Sequence, residues 1–475
     1  MVTSMNEKEY QKDMKINFKD MVKVLILLFA LLMIVGILTY VIPAGRYDTV
    51  KSETGSTVID PDSFVFVENA DRIPWYRWFI APIECFLFDS SKGTIYQICG
   101  LLLILGGCFK ILEGCGFLQA LVKLLVVRFK NKRFLTICAT TILVMLLSSF
   151  FGLFEELLIL FPVFLSFAVA MGWSRMTALS LVLLSSCVGF TCALFNPFTI
   201  GLCSTLAGIS LVDGLWYRVI MFVIMTAVVS IYLIHIAKKD EKAAGSKTEV
   251  YEQEISARER KKAVSVSFLF LFVLVIVVLF SVIPELADLG IGLIAMALAF
   301  VIGTVVLGIT MPGKSGGLAG LFFKGVKNVS PSILIVITAF SIKYIVDKAG
   351  VLHTIFHYMS GILGNVSPYL GIVLILFFVL LIEFFIPSAT AKASLLIPVL
   401  TLAPIPGISK TVIVFAYMLG DGYTNVFYPT SGTLLIGLGL ANVSYFEWFK
   451  KTVWFQLLLL ASSIVFLWTA IAIGL

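Results

Sequence analysis

The chain has 475 residues, 60% of them hydrophobic and only 13% charged, with a mean hydropathy of +1.04, whereas a soluble domain is about 25% charged. This is the composition of a polytopic membrane protein, and the two longest polar stretches, 44–73 and 238–263, are too short to bury a catalytic core of their own. The net charge of +7 resides in short basic loops beside apolar runs, which is a topology signal rather than a nucleic-acid-binding surface.

Residues 1–21 carry Lys8, Lys12, Lys15 and Lys19 and no small-residue cleavage site. They read as a cytoplasmic segment, not a removed signal peptide. A first span over 22–43 is followed by a loop with Asp48, Glu53, Asp60, Asp62, Glu68 and Asp71, expected outside and completing a unit at 73. A first repeat is predicted over 74–237. In it an amphipathic stretch from Trp75 to Phe88 precedes a crossing over 94–128, which ends inside at Arg128, Lys130, Lys132 and Arg133. Two apolar arms, 134–151 and 154–173, flank a tip running from Ser148 to Glu156, and a run over 175–210 precedes a span at 215–237.

The basic linker 238–263, with Lys238, Lys242, Lys247 and Arg258, is expected in the cytoplasm, before two scaffold spans within 264–311. A second repeat is predicted over 312–475. It has a basic inner segment (Lys314, Lys324, Lys327), a crossing at 331–350, a two-armed unit at 368–405 with its tip from Glu383 to Lys392, a run at 409–443 and a last span at 452–474. Parity of crossings holds whether the paired arms cross fully or form re-entrant hairpins.

The halves repeat. Ile111–Leu118 aligns with Ile345–Leu352 and Ala207–Ser210 with Ala441–Ser444, each 234 residues apart; Gly189-Phe190-Thr191 matches Gly422-Tyr423-Thr424 and Pro197 matches Pro429 at nearly the same spacing. By parity the repeats are inverted, the arrangement of secondary carriers with a midplane site between two halves.

The chemistry is expected where apolar runs are interrupted. Gly189 to Gly201 places Asn196, Pro197 and Thr199 in a run that would otherwise stay apolar, and Asp421 to Gly432 does so with Asn425, Pro429, Thr430 and Ser431. Proline removes a donor and clashes with the preceding turn, so both runs are predicted to be broken helices. Free N–H groups at such a break attract a carboxylate, and free carbonyls attract a cation. A kink satisfied by Ser and Thr hydroxyls is the bland alternative for one break; two breaks at repeat-equivalent positions favour a binding site. Glu155, Glu156, Glu383 and Asp421 are acids in apolar context against one cation at similar depth, Lys392. Each costs about 2.5–3.5 kcal/mol at the bilayer centre on insertion scales, so they are expected to face a polar cavity or one another. The acidic excess favours a cationic or zwitterionic substrate, or a coupling cation. Glu113 and Asp347 recur between the halves beside glycine and read as helix-end groups.

Other signatures fail. His353 and His357 have i, i+4 spacing without the glutamate of a zinc protease, and His235 is far along the chain from any tip serine. No P-loop is present. The eight cysteines, all in the first half and without CxxC spacing, read as small buried apolar residues. No metal and no cofactor is expected, beyond coupling to Na+ or H+.

Several segments resemble the YfcC family of the C4-dicarboxylate anaerobic carrier-like group, which includes basic amino acid antiporters of the arginine deiminase pathway. They are Val41-Ile42-Pro43-Ala44-Gly45-Arg46-Tyr47, Phe195-Asn196-Pro197-Phe198-Thr199, Phe385-Ile386-Pro387-Ser388 with Lys392-Ala393, and Gly420-Asp421-Gly422-Tyr423-Thr424-Asn425 through to Tyr428-Pro429-Thr430-Ser431-Gly432. The resemblance covers nearly the whole chain. It implies an all-α polytopic fold of the ion transporter superfamily, with two inverted repeats, each having a re-entrant helical hairpin (134–173, 368–405) and a broken transmembrane helix (175–210, 409–443), in a homodimer with moving transport domains. The family's glycine-rich Ser-Gly-Ser-Gly-Lys tip is Ser388-Ala389-Thr390-Ala391-Lys392 here, which keeps the hydroxyls but leaves less room for backbone approach.

The function expected is that of a secondary carrier in the bacterial cytoplasmic membrane, exchanging a basic amino acid such as arginine for ornithine. Asn196, Thr199, Ser388, Thr390, Asn425, Thr430 and Ser431 are the expected substrate ligands. Glu155, Glu156, Asp421, Glu383 and Lys392 are the expected counter-charges or coupling-ion groups. The alternative is a Na+- or H+-coupled carrier of C4-dicarboxylates or other small carboxylates, with Lys392 and the helix N-termini holding the carboxylates. A channel and an intramembrane enzyme are the readings from other classes; counterflow separates the first and product release in detergent the second.

Overall fold

The computed structural model describes residues 18–51, 57–59, 63–67, 73–89, 92–129, 132–244, 255–282, 292–312, 317–363, 366–386, 388–402 and 407–475. Lys8, Lys12, Lys15, Glu53, Asp60, Asp62, Glu68, Asp71, Lys130, Lys247, Lys314 and Pro387 lie outside the described residues.

Helix α1 (Phe18–Val41) leads to a small β-structured loop, where β1 (Gly45–Arg46) pairs antiparallel with β4 (Val65–Phe66) and β2 (Thr49–Lys51) with β3 (Thr57–Ile59). A 3-10 turn (Trp75–Phe79) and α2 (Ala81–Phe88) precede α3 (Lys92–Gly114), α4 (Phe117–Phe129), α5 (Arg133–Phe151), a 3-10 turn (Glu156–Leu160) and α6 (Phe161–Ala170). Next come α7 (Arg175–Thr191), a π turn (Pro197–Gly201), α8 (Leu202–Ala207) and α9 (Leu215–Ala244), then α10 (Ala257–Val282), α11 (Gly292–Thr310) and α12 (Leu318–Val329). The second half runs α13 (Pro331–Ala349), α14 (Val351–Leu363), α15 (Pro368–Phe385), α16 (Ala389–Leu402), α17 (Lys410–Tyr423), a 3-10 turn (Thr424–Val426), α18 (Gly432–Ala441) and α19 (Tyr445–Ala472).

Among the described residues, six helices are long and apolar enough to cross a membrane, α3, α5, α9, α10, α15 and α19, or seven if α12 and α13, bent by 46°, are one span. Their outer faces expose large apolar side chains such as Ile231, Phe268, Phe377 and Trp454, as lipid contact requires.

The segment expected as one crossing over 94–128 is two helices. Gly116 has φ +77°, which ends α3 and redirects α4. There Lys262 Nζ donates to Cys115 O at 2.5 Å and Lys123 pairs with Glu259 at 3.1 Å, holding α4 against the start of α10.

The order from α3 to α9 recurs from α13 to α19, and backbone conformation keeps the same spacing. Positive φ occurs at Gly116 and Gly350, at Gly172 and Gly407, and at Gly208 and Asn442, pairs 234 or 235 residues apart. Asn442 is the one non-glycine with positive φ among the described residues, and its short amide suits the left-handed cap. Ser174 caps α7 by accepting the Thr177 N–H, as Ser409 caps α17 by accepting that of Val412.

Each two-armed unit is tied at its base to the end of a long helix. Asp240 Oδ2 on α9 accepts from Ser174 N at 2.8 Å and Thr177 Oγ1 at 2.6 Å, and Glu241 Oε1 accepts from Trp173 Nε1 at 2.9 Å. In the second half Ser409 Oγ donates to Leu475 O at 2.6 Å and Trp468 Nε1 to Tyr369 O at 3.0 Å. Helices α7 and α17 meet at their C-terminal ends, where a Cβ on Gly422 would stand 2.5 Å from Thr191 Cα. Only glycine permits that approach.

Candidate functional site

Helix α7 stops at Thr191, and Ser149, near the end of α5, holds the segment that follows. Its carbonyl accepts the N–H groups of Leu194, Phe195 and Asn196 at 3.0–3.1 Å, and its hydroxyl donates to Cys192 O at 2.7 Å. Asn196 Oδ1 accepts the Phe198 N–H at 2.9 Å and so caps the π turn that begins at Pro197, where proline has no N–H to lose. Gly152 closes α5 with φ +70°, and a Cβ there would stand 2.5 Å from Asn196 Oδ1. The tip therefore lies directly on the break.

Asn196 and Thr199 are fully buried, and Asn196 Nδ2 and Thr199 Oγ1 have no hydrogen-bond partner. Buried polar atoms without partners are rare, and such atoms facing a break are suited to a ligand. The carbonyls on the other side of the break are occupied. Arg218 of α9, fully buried, donates from Nη1 to Leu194 O at 2.8 Å and Ala193 O at 3.4 Å, and from Nη2 to Leu211 O. Arg218 falls within the expected span 215–237 and is not among the expected site residues. Its signal was an arginine three residues into an apolar run, where an ionised group is expensive and marks a function.

The second break follows Tyr423. Asn425 Nδ2 donates to Asp421 O at 2.9 Å and Gly422 O at 3.3 Å, Trp448 Nε1 to Val426 O at 2.7 Å, and the Tyr445 hydroxyl to Phe427 O at 2.9 Å. Ser431 accepts the Leu434 N–H at 3.4 Å and caps α18. Thr430 is buried, and its hydroxyl has no partner. Beside this break lies a buried ionic triad. Lys392 of α16 pairs with Glu383 of α15 and, at 2.7 Å, with Asp421 of α17, and all three side chains are at most 2% exposed. Two carboxylates around one ammonium leave the triad one negative charge in excess when all three are ionised.

The expected residues thus divide. Asn196, Thr199 and Thr430 present open polar atoms, whereas Asn425 and Ser431 are engaged with backbone. Ser388 and Thr390 are exposed, 3.4 Å from each other, with Ser388 capping α16 at Ala391 N. Of the acids, Glu383 and Asp421 share Lys392. Glu155 instead accepts from Thr433 Oγ1 at 3.3 Å, and Glu156 from Phe154 N at 3.1 Å. The two breaks are nevertheless neighbours: α16 and α17 both pack against the π turn and α8, and Cys187 Sγ of α7 lies 3.2 Å from Tyr423 O. The arrangement offers uncharged donors for a carboxylate on one side and net negative charge for a cation on the other. Among the described residues no group of His, Cys, Asp and Glu could hold a metal ion.

The sequence model of the family described as "C4-dicarboxylate anaerobic carrier" matches residues 21–472. A protein of Escherichia coli (strain K12) named "Putative basic amino acid antiporter YfcC" is 26% identical over 468 residues, covering 90% of this chain and 91% of that protein. An uncharacterized protein of Haemophilus influenzae is 22% identical over 78% of this chain and 74% of its own length. The solved structure of the Alcanivorax borkumensis YdaH transporter aligns over 96% of this chain and 98% of that one, with 16% identity and a TM-score of 0.45.

Proposed function

This chain belongs to the C4-dicarboxylate anaerobic carrier family and is a multi-pass membrane transporter; we propose that it exchanges a basic amino acid, of the arginine and ornithine kind, across the bacterial cytoplasmic membrane by alternating access, with its N-terminus inside. The observation that carries the proposal is Lys392, fully buried between Glu383 and Asp421. An ammonium neutralised by two carboxylates is a poor ligand for a dicarboxylate, and the excess negative charge favours a substrate with a cationic end. The free Asn196 amide and the Thr199 and Thr430 hydroxyls then serve the α-carboxylate, while Ser388 and Thr390 line the approach at the second tip. The name of the Escherichia coli relative points the same way.

The architecture belongs to the same proposal: two inverted repeats, each with a re-entrant hairpin and a broken helix. The paired left-handed positions and the recurring element order support the repeat. Inversion is supported at the two ends of the broken helices. Lys410, at the start of α17, donates to Ala207 O at the close of α8 at 3.1 Å, while Arg175, at the start of α7, shares a cavity with Asn442 at the close of α18. Re-entry of the first hairpin is supported by its tip stopping at Asn196, with Pro197–Ala207 still to follow. The homodimer rests on the family resemblance.

The second reading is a Na+- or H+-coupled carrier of C4-dicarboxylates or other small carboxylates, favoured by the family's description. Counterflow in proteoliposomes separates the two. With unlabelled arginine inside and labelled arginine outside, uptake should rise above equilibrium and be blocked by ornithine but not by succinate or citrate. No arginine counterflow, with carboxylate uptake only under an ion gradient, would overturn the proposal.

A further inference from the structure

We propose that Arg218 is a resident cation, standing at the first break where a coupling ion would otherwise bind, so that exchange by this carrier needs no sodium. The inference rests on the exchange reading and adds the ion coupling that reading leaves open. In broken-helix carriers the unwound carbonyls and the C-terminal ends of half-helices form the cation site. Here the carbonyls of Ala193 and Leu194, just past the end of α7, receive the Arg218 guanidinium, which also takes Leu211 O. Among the described residues no carboxylate lies within ion-pairing distance of Arg218, so its positive charge answers these carbonyl dipoles. Asp213, the acid that acts on it electrostatically, accepts the Ser210 N–H at 2.9 Å.

Other carbonyls at the two breaks also take donors from the protein. Cys192 O takes the Ser149 hydroxyl and Asn196 O the Gly201 N–H. At the second break the carbonyls of Asp421, Gly422, Val426 and Phe427 take the Asn425 amide, the Trp448 indole and the Tyr445 hydroxyl. Lys392 supplies the cation between Glu383 and Asp421. A permanently charged arginine cannot dissociate and return with each cycle as a sodium ion does. It stays covalently attached beside the half-helix end, so the gradient that could drive net flux is that of the exchanged substrates.

Thermal unfolding of the purified full-length protein in sodium, potassium and choline chloride at equal ionic strength tests this without any choice of substrate, since a cation bound only by the folded state raises the melting temperature. The wild type should melt at one temperature in all three salts. A rise specific to sodium would overturn the proposal. The Arg218→Met protein leaves the Ala193 and Leu194 carbonyls without their cation. It should melt lower in choline and recover selectively in sodium, whereas equal loss in all salts would make Arg218 a purely structural cap. Should Arg218→Met not fold, Arg218→Lys keeps the charge and should remain indifferent to sodium; a sodium-specific rise there would overturn the idea. Failure of arginine counterflow beside salt-independent melting would sink the substrate and leave this inference standing.

Discussion

Thr433 Oγ1 donates to Glu155 Oε1 across 3.3 Å, joining the first turn of α18 to the tip of the two-armed unit in the other half. Removing the hydroxyl at constant shape, Thr433→Val, should cost about 1 kcal/mol of stability. Because the bond ties one half to the other, it should also alter the rate of exchange more than substrate affinity. Melting temperature and counterflow kinetics of the same preparation check both, and unchanged kinetics would show that the contact is incidental.

Asp421→Asn keeps Lys392 paired with Glu383 while removing the excess negative charge of the triad. Folded protein should survive and counterflow should be lost. Lys392→Met is the opposite case: it leaves two buried carboxylates uncompensated, at about 3–5 kcal/mol, and the yield of folded protein should fall. Retained uptake kinetics in Asp421→Asn would remove Asp421 from the site.

Asn196 has two separable roles, a cap through Oδ1 and an open donor through Nδ2. Asn196→Ala should lose the cap, about 1 kcal/mol, and weaken substrate binding as well. Asn196→Ser keeps an uncharged capping oxygen and loses the amide donor, so it should largely preserve the melting temperature and still weaken binding, by about tenfold for 1.4 kcal/mol. Equal affinity in wild type and Asn196→Ser would assign the residue to the backbone alone.

At the crossing of α7 and α17, Gly422→Ala would place a methyl group 2.5 Å from Thr191 Cα. Backbone cannot swing aside as a side chain can, so overpacking of about 1–3 kcal/mol is expected. A melting temperature equal to that of the wild type would show that the two helices separate easily there.

The loop between α1 and α2 is latched by His353 of α14, whose Nδ1 accepts the Tyr47 N–H at 3.0 Å, while Phe64 stacks on His357 with centroids 4.0 Å apart. Burial, with Arg46 nearby, holds the His353 pKa below its ordinary 6.5. The folded state therefore binds fewer protons than the unfolded one between the two pKa values, so this contribution is full above about pH 6.5 and is lost as pH falls through the lower folded value. Proteolysis within residues 48–64 should accelerate on acidification in the wild type, and His353→Gln should flatten that dependence. Identical pH profiles would assign the acid response to another group.

What the sequence by itself determined is the class of molecule and the places where its apolar runs are interrupted, because each depends on composition and spacing along the chain. Apolar runs near the length of a bilayer, proline beside asparagine within them, and motifs 232–234 residues apart are local facts, and the paired left-handed residues at Gly208 and Asn442 fall on that spacing. Which polar atoms stay open was decided by tertiary structure, since hydrogen bonds between distant segments assign them. Asn425 and Asn196 look alike as letters, yet one amide is used by the carbonyls of its own helix and the other is left without a partner. Arg218 shows the same limit: its meaning depends on the carbonyls of Ala193 and Leu194, brought to it from across a loop. Lys392 finds its two acids only once α15, α16 and α17 pack together. A buried charge is defined by what surrounds it, and that is a property of the packed helices.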